Sequence, residues 1–219
     1  MTDSHGLQST PERISLREQL GVRADPVFAL ALPTGWVRRE ASEQAQEEMT
    51  RDVRRRLLDA HRPDLFARIR PLLADAFAQM ADADVIAFFA PATGDDTALA
   101  LPASLVASLR TPTTPGDTLD SLVQALIRQE GATPLLGDKR FLRFERETRQ
   151  VFEDAPVRVT QVVYLTPIPG TGRRRGLQLT ASVIRPDDAP ADDRPNVLVK
   201  ALLDACVSSL SWSVEPATV

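Results

Sequence analysis

Residues 157–183, VRVTQVVYLTPIPGTGRRRGLQLTASV, decide how this chain folds. Two runs rich in Val, Thr, Tyr and Leu flank a Gly/Arg loop. In the second, Leu177, Leu179, Ala181 and Val183 alternate with Gln178, Thr180 and Ser182. That period of two predicts a strand with one core face and one polar face. The two runs form a long hairpin at the centre of a sheet, and the rest of the chain is arranged around it.

Immediately upstream, RFLRFERETRQVFE at residues 140–153 is strongly charged, but it leads into the β-rich hairpin through Asp154-Ala155-Pro156 and predicts a further strand with an arginine-rich outer face. Downstream, PDDAPADDRP at residues 186–195 predicts an acidic surface loop. Asn196 then caps a helix carrying Leu198, Leu202, Ala205 and Ser209 on one side, and Ser-Trp-Ser-Val at 211–214 closes the chain as a short strand.

Towards the N-terminus, residues 1–25 hold too little apolar surface to order themselves and are expected to be an arm, leaving 26–215 as one domain. The run VFALALP at 27–33 predicts a buried strand, with Trp36 following the Pro-Thr-Gly turn. Ser42 caps a helix in which Ala45, Met49, Val53 and Leu57 share a face. Pro63 ends it. A second helix follows with a stripe of Leu65, Ile69, Leu72, Leu73, Ala76, Phe77 and Met80, bent or restarted at Pro71. VIAFFAPA after Asp84 predicts a buried strand, residues 97–110 a strand bent at Pro102, and residues 111–117 a loop. Asp117 or Thr118 caps a helix bearing Leu119, Leu122, Val123 and Leu126, closed by Gly131. The sum is an α+β fold, a mostly antiparallel sheet flanked by helices.

Of the 219 residues 43% are hydrophobic and 26% charged, and the net charge is −4, so the chain has no general attraction for nucleic acid or anionic membrane. No run approaches the ~20 apolar residues that span a bilayer, and the start has no secretory pattern; the expectation is a cytoplasmic protein, monomer or homodimer. One cysteine, Cys206, and two histidines, His5 and His61, exclude an internal disulfide and a Cys- or multi-His-based metal centre; no metal or other cofactor is expected. Lys139 and Lys200 are the only lysines, an arginine bias expected of high-GC coding such as that of actinobacteria.

Three groups compete as sites. The loop Gly170-Thr171-Gly172-Arg173-Arg174-Arg175-Gly176 resembles a phosphate cradle, but it joins two strands instead of opening a helix, so a hairpin turn is the better reading. Arg143, Arg146 and Arg149 form one basic patch with Arg173, Arg174 and Arg175 if their strands are neighbours, or pair across strands with the interleaved Glu145, Glu147 and Glu153 on a solvated face. His61 is a general base only if a nucleophile and an acid converge on it; a place by helix carbonyls is the ordinary role. Asp95-Asp96, Asp187-Asp188 and Asp192-Asp193 lack the spacing of a calcium loop. No catalytic set emerges.

FALALPTGW at 28–36, YLTPIPG at 164–170 with LQLTAS at 177–182, and LLDACVSSLSW at 202–212 together resemble the PsbP-like α/β/α sandwich, which includes Mog-type Ran-binding proteins and photosystem extrinsic proteins. The resemblance implies a non-enzymatic protein-binding or accessory module that works through its sheet edges and surface loops, and the expectation is an accessory factor of a bacterial assembly such as a secretion apparatus. Trp36 and the six arginines are the contact candidates. The alternative is a carrier of a small ligand or lipid, held between the sheet and the 42–82 helices.

Overall fold

A computed structural model describes residues 27–92, 101–112, 114, 118–152 and 155–213. The expected arm, the Asp95-Asp96 pair, most of the 111–117 loop and Glu153 lie outside them.

The described residues form an α+β fold on a seven-stranded antiparallel sheet. Its strands are β2 (Trp36–Arg39), β3 (Val85–Pro91), β4 (Ala103–Arg110), β5 (Thr133–Leu135), β6 (Asp138–Phe152), β7 (Ala155–Pro167) and β8 (Gly176–Pro186), ordered β2-β3-β4-β8-β7-β6-β5. A separate antiparallel pair joins β1 (Val27–Ala29) to β9 (Ser211–Ser213). The β7–β8 hairpin is central, as its composition predicts, and runs in unbroken register from Val157↔Pro186 to Pro167↔Gly176. Two short strands escape sequence reading: β2 with four residues and β5 with three leave no room for a period to show. Nor does β4 bend at Pro102. The proline precedes the strand, and its carbonyl accepts from Ile184 N at 2.8 Å.

Neighbouring residues point to opposite faces, and this sorts the helices. On one face Phe89, Leu105, Val162, Tyr164, Leu179, Ala181 and Val183 build the main core under Val199, Leu203 and Val207 of α4 (Arg194–Ser208). On the other, Phe88, Ala90 and Val106 meet Ala45 of α1 (Glu43–Asp59) and Phe77 of α2 (Pro63–Asp82), while Phe144 and Val163 meet the Leu126 side of α3 (Leu119–Glu130). The sheet is thus sandwiched between helical layers, and the polar row of β8 divides the two packings on the second face, with Gln178 bonded to Arg110 Nε at 2.8 Å and to Thr180 Oγ1 at 3.0 Å.

Ser42 caps α1, its Oγ accepting from Ala45 N at 3.2 Å; Thr118 caps α3, and Gly131 ends α3 at φ 65°. Pro63 takes the first turn of α2, where its missing N–H costs nothing, and α2 runs through Pro71 without a break. The last helix differs from expectation. Asp193, not Asn196, caps it, accepting from Asn196 N at 2.9 Å. Its buried face is Val199, Leu203, Cys206 and Val207; Leu198 is 58% exposed and Ala205 exposed, so the face is rotated by one residue from the expected stripe. Both rows are apolar, and the one continued by Leu210 into the core wins.

Candidate binding site at the hairpin tip

The loop between β7 and β8 is a compact turn. Ile168 N donates to Arg175 O at 3.0 Å, Arg174 N to Thr171 O at 3.2 Å, and the Thr171 hydroxyl to Ile168 O at 2.8 Å. Gly170 and Gly172 take φ of 80° and 60°, the left-handed region that glycine enters without strain. Arg173 shares it at φ 59°, which costs a side-chain-bearing residue roughly 1–2 kcal/mol. The strain is offset by docking: Arg173 O accepts from Leu119 N at 2.9 Å at the start of α3, and its guanidinium meets Asp120 Oδ1 at 2.8 Å. Gly176 permits the approach, because a Cβ there would lie 2.9 Å from Leu119 Cδ1 and 3.1 Å from Leu165 Cδ1.

Two cavities open beside this tip. One of about 430 Å³ is lined by Phe141, Ile168, Leu210 and Trp212, with Arg140 and Arg173 also on its wall. The other, about 190 Å³, lies towards α3 between Val123, Ile127, Pro134 and Leu165, and shares Arg140, Phe141, Pro167 and Arg173 with the first. Arg140 lies with its guanidinium carbon 5.5 Å from the Phe141 ring centroid and pairs with Asp138 at 2.7 Å. Trp212 is positioned by β9, its ring 6.0 Å edge-on from Phe28, which Arg38 covers at 4.4 Å. The arrangement suits an apolar group bearing an acceptor, which would meet the guanidinium N–H groups that Asp138 and Asp120 leave open on Arg140 and Arg173.

The expected arginine cluster divides. Arg149 stands opposite Arg158 and the tip begins at Pro167↔Gly176, nine rungs away or roughly 30 Å at strand rise. One basic patch is therefore excluded for the six arginines, and the three on β6 do not even share a face. Arg143 and Arg149 lie on the α4 side. Arg146 lies on the other, over Phe144 and paired with Glu130 at 2.7 Å. The cross-strand pairs expected of these three arginines with the interleaved glutamates do not form among the described residues. Arg143 meets Glu145 on its own strand, Arg146 pairs with Glu130 and Arg149 with Asp187, and Arg143 is tucked under α4 instead of standing on a solvated face. It meets Asp204 at 2.8 Å and Glu145 at 2.6 Å, while Lys200 reaches Glu145 at 3.2 Å and the Tyr164 hydroxyl donates to Asp204 at 2.6 Å.

Burial pushes the Tyr164 phenol well above its ordinary value, and the bond to Asp204 adds to it. Burial works to lower Arg143 and raise Glu145, but the hydrogen bonds between them and to Asp204 and Lys200 win, holding Arg143 above and Glu145 below their usual ranges. A second network ties β6, β7 and β8 to the loop that leads into α4. Glu147 meets Arg185 at 2.7 Å and Arg158 at 3.3 Å; Asp187 meets Arg158 at 2.7 Å and Arg149 at 2.8 Å. Asp187 is thus an ion-pair partner of two strands, a role its place in an acidic loop conceals.

Trp36 is 6% exposed and belongs to the core, so it offers no contact surface. His61 is exposed at the α1–α2 turn, at φ 57°, its N–H donating to Leu58 O at 2.9 Å. Cys206 is buried, which raises its thiol. No group of three His, Cys, Asp or Glu suited to a metal occurs among the described residues, and no described helix is long and apolar enough to cross a membrane. Between the sheet and the α1–α2 helices, where the carrier reading places a ligand, Phe77 stands 5.7 Å edge-on from Phe88, and neither of the two cavities beside the tip touches those helices. Of the tip site, sequence reading finds Arg173; it misses Arg140, Phe141, Leu210 and Trp212, which only the pairing of β1 with β9 and β5 with β6 brings together. The alternation Ser-Trp-Ser was the one available signal.

No family model and no curated protein matches the chain. Among solved structures, LpqN, involved in cell envelope biogenesis of Mycobacterium tuberculosis, is similar at 13% identity and a TM-score of 0.41, over 86% of this chain and 84% of its own. A protein of Bacteroides thetaiotaomicron is similar at 13% identity and a TM-score of 0.40 over 86% of this chain, which spans only 46% of that protein.

Proposed function

We propose that the protein is a non-enzymatic accessory module of a bacterial assembly, built as a PsbP-like sandwich, that grips a protein partner at the β7–β8 tip. The observation that carries this reading is the 430 Å³ cavity, where an apolar wall of Phe141, Ile168, Leu210 and Trp212 stands beside Arg140 and Arg173. An apolar anchor side chain fits such a wall, and arginines beside it select a partner segment with a hydrogen-bond acceptor nearby. The sandwiched sheet supports the family reading, and the near-exclusive use of arginine supports a high-GC source.

The test compares partner capture by the native chain and by the triple variant Arg173→Ser, Arg174→Ser, Arg175→Ser. A partner held by the first and lost by the second, with matching melts, supports the reading; equal retention overturns it.

A second reading, a small-ligand carrier, rests on the cavity volume, which lies within the range of ligand pockets. In a Trp36→Phe variant the remaining indole, Trp212, reports on that cavity alone. Saturable quenching by an amphipathic carboxylate favours the carrier, and a flat titration favours the partner.

A further inference from the structure

The seven-stranded sheet ends unevenly. β5 pairs with β6 only as far as Thr133↔Arg143, whereas β6 continues to Phe152, paired on its inner side to β7 in unbroken register. From Phe144 onward the outer edge of β6 has no strand beside it among the described residues, and residues 145–151 are all exposed, Val151 at 73%. Long edges are normally retired by a proline, a bulge, charged side chains or a covering element. This one carries only charges, Glu145, Arg146, Glu147 and Arg149, so the registers they forbid decide what it can pair with. Residues 144–152 contain no proline or glycine, and the pairing shows no bulge.

We propose that this edge pairs antiparallel with the same edge of a second copy, about a two-fold axis at Thr148. Symmetry and charge choose the register together. A two-fold axis that joins identical edges stands perpendicular to the sheet and keeps each face on its own side. Directly opposed residues point to the same face, so residue numbers facing each other across the axis must sum to an even value. Centring on Thr148 sets Glu147 opposite Arg149 of the second copy, twice, with Arg146 opposite Gln150, Glu145 opposite Val151 and Thr148 opposite itself. Moving the axis one residue back sets Glu147 against Glu147; moving it one residue on sets Arg149 against Arg149. Like charges directly opposed destabilise a strand pair. Thr148 is the centre that opposes unlike charges and no like ones, and this antisymmetry favours a second copy over a strand of unrelated sequence. The interface lies roughly 30 Å from the hairpin tip along the strands and does not rest on the function proposed there.

Sedimentation of the full chain tests the dimer, and cysteine crosslinking tests the register. Thr148→Cys places two thiols on directly opposed residues, and oxidation is expected to convert the dimer to a covalent one. Gln150→Cys places them four residues apart, roughly 13 Å, too far to link. Cys206, the native cysteine, is buried. In the native chain, amide exchange across 145–151 slows as concentration rises. A monomer at every accessible concentration would overturn the proposal, as would a dimer that links through Gln150→Cys as readily as through Thr148→Cys. A monomer whose β6 amides gain protection only when another protein is added would overturn it in favour of strand addition by that protein.

Discussion

Two of the helical attachments on this sheet, α4 and the α1–α2 pair, differ in depth. Over β7 and β8, α4 sets Val199, Leu203, Cys206 and Val207 into the main core, and charged rims seal it: Arg143, Asp204, Tyr164, Glu145 and Lys200 along one flank, Glu147, Arg158, Arg185 and Asp187 at the loop that leads into it. Over β3, the α1–α2 pair touches the sheet through a small cluster around Ala45, Phe77 and Phe88, while Leu58 and Leu72 of the same helices stand 45% and 53% exposed. One attachment completes the core. The other is a lightly anchored appendage, and local opening free energies differ accordingly.

Truncation sharpens the contrast most. Leu203→Ala is expected to lower global stability by about 3 kcal/mol, seen as a fall in the denaturation midpoint of the whole chain, because Leu203 is 1% exposed and its space has no ready filler. Phe77→Ala is expected to act locally: hydrogen exchange speeds across 43–82 while the amides of β7 and β8 keep their protection. Simultaneous opening of both regions in the second variant would abolish the distinction.

Asp204→Ala follows at about 2–3 kcal/mol, since it leaves Arg143 and the Tyr164 hydroxyl without their shared acceptor beneath α4. Tyr164→Phe keeps the ion pair and is expected to cost less. Gly176→Ala, at about 1–2 kcal/mol, displaces Leu119 and loosens α3 from the tip; chemical shifts of Arg173 and Leu119 should move with it.

The smallest effect is on pH dependence. Glu147 is held below its usual range first by its bond to Arg185, and Asp187 first by its bond to Arg158. Carboxylates depressed in the folded state bind fewer protons there than in the unfolded chain. Their contribution is complete above the ordinary carboxylate range, about pH 4, and is lost as pH falls through the folded values. Asp187→Asn should therefore flatten the acid limb of a melting-temperature profile and leave the neutral-to-alkaline limb parallel to that of the native chain.

The contrast between the two regions also tracks what the sequence revealed. The β8 alternation is legible because a strand with one buried face has no other way to satisfy both sides, and Ser42 and Gly131 announce their helix ends by chemistry. The burial of α4 is not legible to a single residue, because the Leu198–Leu202 and Val199–Leu203 rows are equally apolar and only the continuation through Leu210 separates them. The opposite error arises in α2. Its long apolar stripe predicts deep packing, yet little of it reaches the sheet, since apolar periodicity records what a helix can bury and not what faces it. The site is least legible of all: Arg173 was visible in its loop, but Phe141, Leu210 and Trp212 are gathered by strand pairings across distant segments.

The claim that the tip, and not the helical appendage, meets the partner is tested most directly by a photo-crosslinking residue placed at Arg174 or at Leu72 in otherwise native chains. The account predicts a partner adduct from position 174 and none from position 72. An adduct from position 72 with none from position 174 would contradict it.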